Sequence, residues 1–134
     1  MSDLKDATAA ELARNLEIMA DFPHNTGGLS MLDEATMAFG RDNPHVASLQ
    51  RAFAEARHAH MRSYSSATCS YSDKAWRTAI DAARSLAAAL RELGDVRIAR
   101  CKRPSGWGIC NLPLDSDGEC RSTFGHTDGG SARS

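Results

Sequence analysis

Across the first 94 residues apolar side chains recur every three or four positions. That spacing marks one face of an α-helix. Leu12, Leu16 and Met19 set the first stripe, with Ile18 and Phe22 alongside. Thr8 and Glu11 precede it at capping-box spacing, where hydroxyl and carboxylate each satisfy a backbone N–H of the first turn. Pro23 and the pair Gly27-Gly28 predict its end. The stretch SMLDEATMAF predicts a short second helix, with Ser30 as N-cap and Gly40 as terminator.

The third helix is the best specified. Asn43 is a good N-cap, and Pro44 sits at the first helical position, where its missing N–H costs nothing. Val46, Leu49, Phe53, Ala56, His60 and Tyr64 continue the stripe to about residue 66. SSATCSYS is a polar connector of a length suited to antiparallel neighbours. Ser72 then caps a last helix carrying Trp76, Ile80, Ala83, Leu86, Ala87, Leu90 and Leu93, and Gly94 suits its C-terminal cap. The last two helices are expected to form a hairpin, with the first helix packed across them. Alanines on the seam allow close approach.

After Gly94 the period changes. DVRIARC alternates apolar and polar residues, a strand signal. Pro104-Ser105-Gly106 predicts a turn that sets Cys101 opposite Cys110, and Asp117-Gly118 predicts a second. The expected organisation is a helical domain over 1–94, a Cys/His tail over 95–128 and a flexible C-terminus over 129–134. The fold class is mostly α: a small helical bundle followed by a zinc-stabilised β-hairpin.

Composition narrows the function. The net charge of −1 and pI near 6.5 give no global pull toward nucleic acid or anionic lipid. No apolar run approaches the ~20 residues of a membrane span, and MSDLKDATAAELARN has no secretory pattern. A cytoplasmic setting is therefore expected, with cysteines reduced and available to metal. Only three of the sixteen Lys and Arg residues are lysine, a bias of GC-rich bacterial or phage genomes.

Three of the four cysteines and one of five histidines fall between residues 100 and 127. Cys101, Cys110, Cys120 and His126 make a Cys3His set, the ligand types of a closed tetrahedral zinc site. A tail of about 40 residues buries too little apolar surface to fold alone, so a metal has a structural task there. CNLPLDSDGEC and His126 resemble the second half of a zinc-ribbon or zinc-knuckle hairpin, and the resemblance covers roughly the last 27 residues before the flexible C-terminus. The resemblance implies a structural zinc site and no activity. It departs from that pattern in lacking a C-x2-C knuckle, because Cys101 and Cys110 are separated by eight residues. The other readings are free thiols in a small core, or a Cys101–Cys110 disulfide in an exported protein.

Arg97, Arg100, Lys102 and Arg103 stand close together without an acid among them, and Trp107 follows. A basic strand with an aromatic contacts phosphates and stacks a base; the plainer reading is a solvated strand whose Trp107 packs inward. DSDGE reads as a turn, since its glycine position fails the calcium-loop pattern. His58 and His60 are two apart and face different ways on a helix. His60, on the apolar stripe, reads as a core histidine, and Cys69 as a lone thiol.

Three functions are weighed. The first is a non-catalytic interaction or adaptor protein with a structural zinc tail, a protein partner and room for self-association. The second is a nucleic-acid- or RNA-polymerase-associated regulator. A helical hairpin followed by a zinc finger is similar in layout to the DksA/TraR-type regulators, although the connector carries no acidic tip. The third is a small thiol- or metal-dependent enzyme. No Gly-rich phosphate loop, G-x-S-x-G or H-E-x-x-H stretch is present, and four protein ligands leave zinc no open position for water. The first reading leads.

Overall fold

The computed structural model describes residues 7–41, 43–101, 104–105, 108–110, 113–114 and 120. They form two compact units, Met1–Arg97 and Ile98–Ser134. The protein is mostly helical. Four helices make up the first unit: α1 (Ala9–Ile18), α2 (Thr26–Met37), α3 (Pro44–Arg62) and α4 (Asp73–Leu93). Short 3-10 turns, Met19–Asp21 and Ala38–Gly40, follow α1 and α2.

Helix α1 opens on the capping box: Glu11 N–H donates to Thr8 Oγ1 and Thr8 N–H donates to Glu11 Oε1. The Thr8 backbone N–H, and secondarily the Thr8 side chain, favour the ionised form and hold the Glu11 carboxyl below the usual carboxylate range. Helix α3 starts at Pro44, with Asn43 Oδ1 accepting from Val46 N–H, and α4 is capped by Ser72 Oγ. Gly94 ends α4 in the left-handed region (φ 64°) and donates to the carbonyls of Leu90 and Arg91.

Helix α4 sits at the centre, with α1 and α3 packed on it and α2 packed on α3 and α1. Its stripe buries Trp76, Ile80, Ala83, Leu86, Ala87 and Leu90, with Ala79 between them. Leu12 and Leu16 of α1, Leu29 and Leu32 of α2, and Val46 and Phe53 of α3 meet in the same core. Burying such side chains contributes roughly 1.5–3 kcal/mol each. The α3–α4 connector closes with a bridge between Ser65 and Ser70. The unit extends past Gly94 because the carbonyls of Gly94 and Val96 accept from Ala10 and Ala9 N–H.

Three local expectations change. Helix α2 begins at Thr26, not Ser30, because Asn25 is its N-cap and accepts from Gly28 N–H. Gly27 and Gly28, expected to be breakers, lie in its first turn, and a Cβ on Gly28 would stand 2.7 Å from Met19 Cε. Residues 96–99 are not a strand; they run alongside α1 as irregular chain as far as Arg97. Tyr64 lies beyond the end of α3 and is exposed, as are Ile18 and Phe22.

In the second unit, β1 (Pro104–Ser105) and β2 (Gly108–Ile109) pair antiparallel, with Pro104 opposite Ile109 and Ser105 opposite Gly108. Pro104 and Ser105, expected in a turn, are ladder residues. A further bridge joins Arg100 to Pro113, and Leu114 N–H donates to Ala99 O. Among the described residues no helix is long and apolar enough to cross a membrane.

Candidate metal centre and a buried histidine chain

The three tail cysteines converge. Cys101 lies just after the Arg100 bridge, and Cys110 directly after β2. Their sulfurs and that of Cys120 all lie within 4.8 Å of one another, and all three residues are partly buried. Cys110 Sγ and Cys120 Sγ are 3.8 Å apart. A disulfide bond would hold two sulfurs near 2.05 Å. A tetrahedral zinc with Zn–S bonds of about 2.3 Å sets its sulfurs about 3.8 Å apart. The spacing therefore fits thiolates around a metal ion. His126, Lys102, Arg103 and Trp107 lie outside the described residues. Cys69 is exposed in the connector, in a left-handed conformation, and belongs to the first unit, whereas the trio belongs to the second.

Arg97 is 3.7 Å from Glu11 of α1, an exposed ion pair. Arg100 is held in the bridge to Pro113.

A second cluster has no counterpart in the sequence reading. His60, on α3, is fully buried, as its stripe position predicts. Its Nε2 lies 2.8 Å from His24 Nδ1, and His24 Nε2 lies 2.8 Å from Asp73 Oδ1 at the start of α4. The two imidazoles lie nearly coplanar, edge to edge, with centroids 5.1 Å apart; Tyr71 stacks on both, and Trp76 tilts against both. With both imidazoles neutral and Asp73 ionised, the chain of partners sets the proton positions. A carboxylate only accepts, so His24 Nε2 carries a hydrogen and neutral His24 presents a lone pair at Nδ1. His60 Nε2 must then donate to it, which leaves a lone pair on His60 Nδ1. That atom is buried and has no hydrogen-bond partner among the described residues. Burial, and secondarily the neighbouring His24, hold His60 below the ordinary histidine value.

His24 itself has φ 63°, in the left-handed region. Its two side-chain bonds hold that conformation. The available signal in the sequence was His60 alone: a polar ring on an apolar stripe requires a buried partner. Nothing in the spacing identified that partner as His24, 36 positions away.

A third polar cluster fixes α2 on α3. Asp33 is buried and accepts from Gln50 Nε2 and, at 2.8 Å, from Arg57 Nε. Gln50 also donates to the Asp33 carbonyl.

Compared with protein-family models, curated proteins and solved structures, the chain matches none.

Proposed function

We propose that the protein is a non-catalytic helical interaction protein whose C-terminal unit is held together by a structural zinc ion. Cys101, Cys110 and Cys120 supply three thiolates and His126 the fourth ligand, completing a closed site that stabilises a short β-hairpin. The supporting observation is the convergence of three sulfurs from well-separated positions to mutual distances within 4.8 Å. Zinc suits this set because thiolate and imidazole are its preferred structural ligands, and a closed tetrahedron carries no reactive water. The ion's binding free energy becomes folding free energy for the second unit. The helical unit, with its own apolar core, supplies the surface for a protein partner.

Elemental analysis of freshly purified, chelator-free protein tests the reading. About one zinc per chain is expected, falling sharply in Cys120→Ser. In that variant amide protection is lost beyond residue 98 and retained in α1, α3 and α4. Zinc at trace levels in the wild-type chain, or unchanged protection of the second unit in Cys120→Ser, overturns it.

A further inference from the structure

We propose that the Asp73–His24–His60 chain is an acid-sensitive latch that fastens the turn between α1 and α2 onto the tip of the α3–α4 hairpin. Its parts come from three separate segments. His24 lies in the turn before α2, His60 in the last turn of α3, and Asp73 at the first residue of α4. Each contact is 2.8 Å. The arrangement does not suit acid–base catalysis on a substrate. Both nitrogens of His24 are engaged, and the remaining nitrogen of His60 is buried.

Protonation conflicts with the closed arrangement through one atom. If the proton is added to His60, it goes on Nδ1, where an N–H is buried without an acceptor. If it is added to His24, it goes on His24 Nδ1, which then needs His60 Nε2 as an acceptor. His60 must in turn shift its own hydrogen to Nδ1. Both routes place a donor on the same unpartnered atom, and a buried donor without an acceptor is costly. A second proton would set two cations in edge-to-edge rings with centroids 5.1 Å apart. Asp73 lies on the far side of the His24 ring and cannot satisfy His60 Nδ1. Among the described residues, the ionisable groups in ring contact with this pair are phenols: Tyr71 packs on both, and Tyr64 packs on Tyr71. Trp76, from α4, does not titrate.

The open state has no such restriction, because solvated imidazoles take up protons near pH 6.5. The open state therefore binds more protons than the closed state below that pH. The sign follows: the latch is closed above the ordinary histidine range and opens as pH falls through it. The population ratio changes by up to about tenfold per pH unit for each proton taken up. Opening also releases His24 from its left-handed backbone and loosens the Asn25 cap of α2.

Nitrogen-detected NMR of the histidine rings in the full chain, from pH 8 to 5, tests this. At pH 7.5 His60 is expected to carry hydrogen on Nε2 and none on Nδ1. On acidification both rings should change together with the amides of residues 22–29, with a midpoint below 6.5. His60→Gln keeps a donor toward His24 and removes the buried titration, so the fall of its urea midpoint between pH 7.5 and 5.5 should be markedly shallower than in wild type. If the wild-type rings titrate independently near 6.5 while residues 22–29 stay unchanged, the latch is refuted. A folded His60→Gln with the full wild-type pH slope refutes it equally. Should that variant fail to fold, the wild-type ring titration decides alone.

Discussion

Replacing Arg57 by alanine isolates the ionic contact that holds α2 to α3. Asp33 is only 4% exposed, and the Arg57 side chain 12%. Exposed ion pairs contribute about 0–1 kcal/mol, because water competes for both partners. Here water is largely excluded, so the cost of the change is dominated by what is left behind. In Arg57→Ala, Asp33 keeps the Gln50 amide but loses its counter-charge within an apolar interface. Breaking a buried pair in this way costs about 3–5 kcal/mol. The gain in helix propensity from alanine, a few tenths of a kcal/mol, does not offset it. Arg57 also lies 3.3 Å from Met61 Sδ and 2.9 Å from His58 Nε2, both exposed contacts that add little. Urea unfolding followed by far-UV circular dichroism measures the difference, with an unchanged slope showing that the same surface unfolds. In a double-mutant cycle with Asp33→Ala the two losses should be less than additive by at least about 2 kcal/mol, within the range for residues in contact. Raising salt to 1 M should reduce that coupling little, since buried pairs are poorly screened. A single-variant loss under about 1 kcal/mol, or additive losses, would show that the pair behaves as a surface contact and that the α2–α3 interface is wetter than described.

Leu90→Ala, at a fully buried position one turn before the Gly94 cap, should cost about 2–5 kcal/mol by chemical denaturation; a loss below ~0.5 kcal/mol would mean that α4 presents a different face to the core. For nucleic acid, Arg97 is shared with Glu11, and a handful of basic residues near the unit boundary neutralises few phosphates. Counterion release then gives a log–log salt slope of about −2 to −3. No binding to mixed-sequence DNA or RNA is expected at micromolar protein in ~150 mM salt. Tight binding by anisotropy, abolished in Arg100→Glu/Arg103→Glu, would promote the regulator reading.

The starts of α3 and α4 and the end of α4 at Gly94 were legible because their signals are local. Asn43-Pro44 and Ser72 act within one turn, and the α4 stripe repeats over five turns. The Gly27-Gly28 pair misled for the opposite reason. A glycine pair favours a break by its own entropy, but Gly28 is needed where Met19 and the Asn25 cap crowd the first turn of α2. Gly40 is a parallel case, since a Cβ there would stand 2.8 Å from Ala47 Cα. The DVRIARC alternation predicted a strand, but α1 satisfies the carbonyl of Val96 and leaves it no ladder. The polar clusters were illegible because each is non-local. Asp33, Gln50 and Arg57 are ordinary surface residue types, and only packing α2 against α3 makes them buried partners. The cysteine trio was legible because three thiols in one short tail suit a shared site, and their sulfurs do lie within 4.8 Å of one another.

These clusters assign α2 a distinct role. Helices α1, α3 and α4 share a seam of leucine, alanine and aromatic side chains whose attraction does not depend on ionisation. Helix α2 buries Leu29, Leu32 and Ala35, but it is also tied by Asp33 in its middle and by His24 just ahead of its N-cap. Apolar contacts are tolerant of small rotations, whereas a carboxylate that accepts from both Gln50 and Arg57 fixes the face that α2 presents to α3. The same dependence makes α2 the element most sensitive to proton uptake, because the turn leading into it ends in a histidine whose bonds fail in acid. Partial opening should therefore begin at α2 and its preceding turn, leaving the α1–α4–α3 seam closed. That places any acid-exposed surface on the α2 side of the helical unit, where Met31 and Met37 already face solvent.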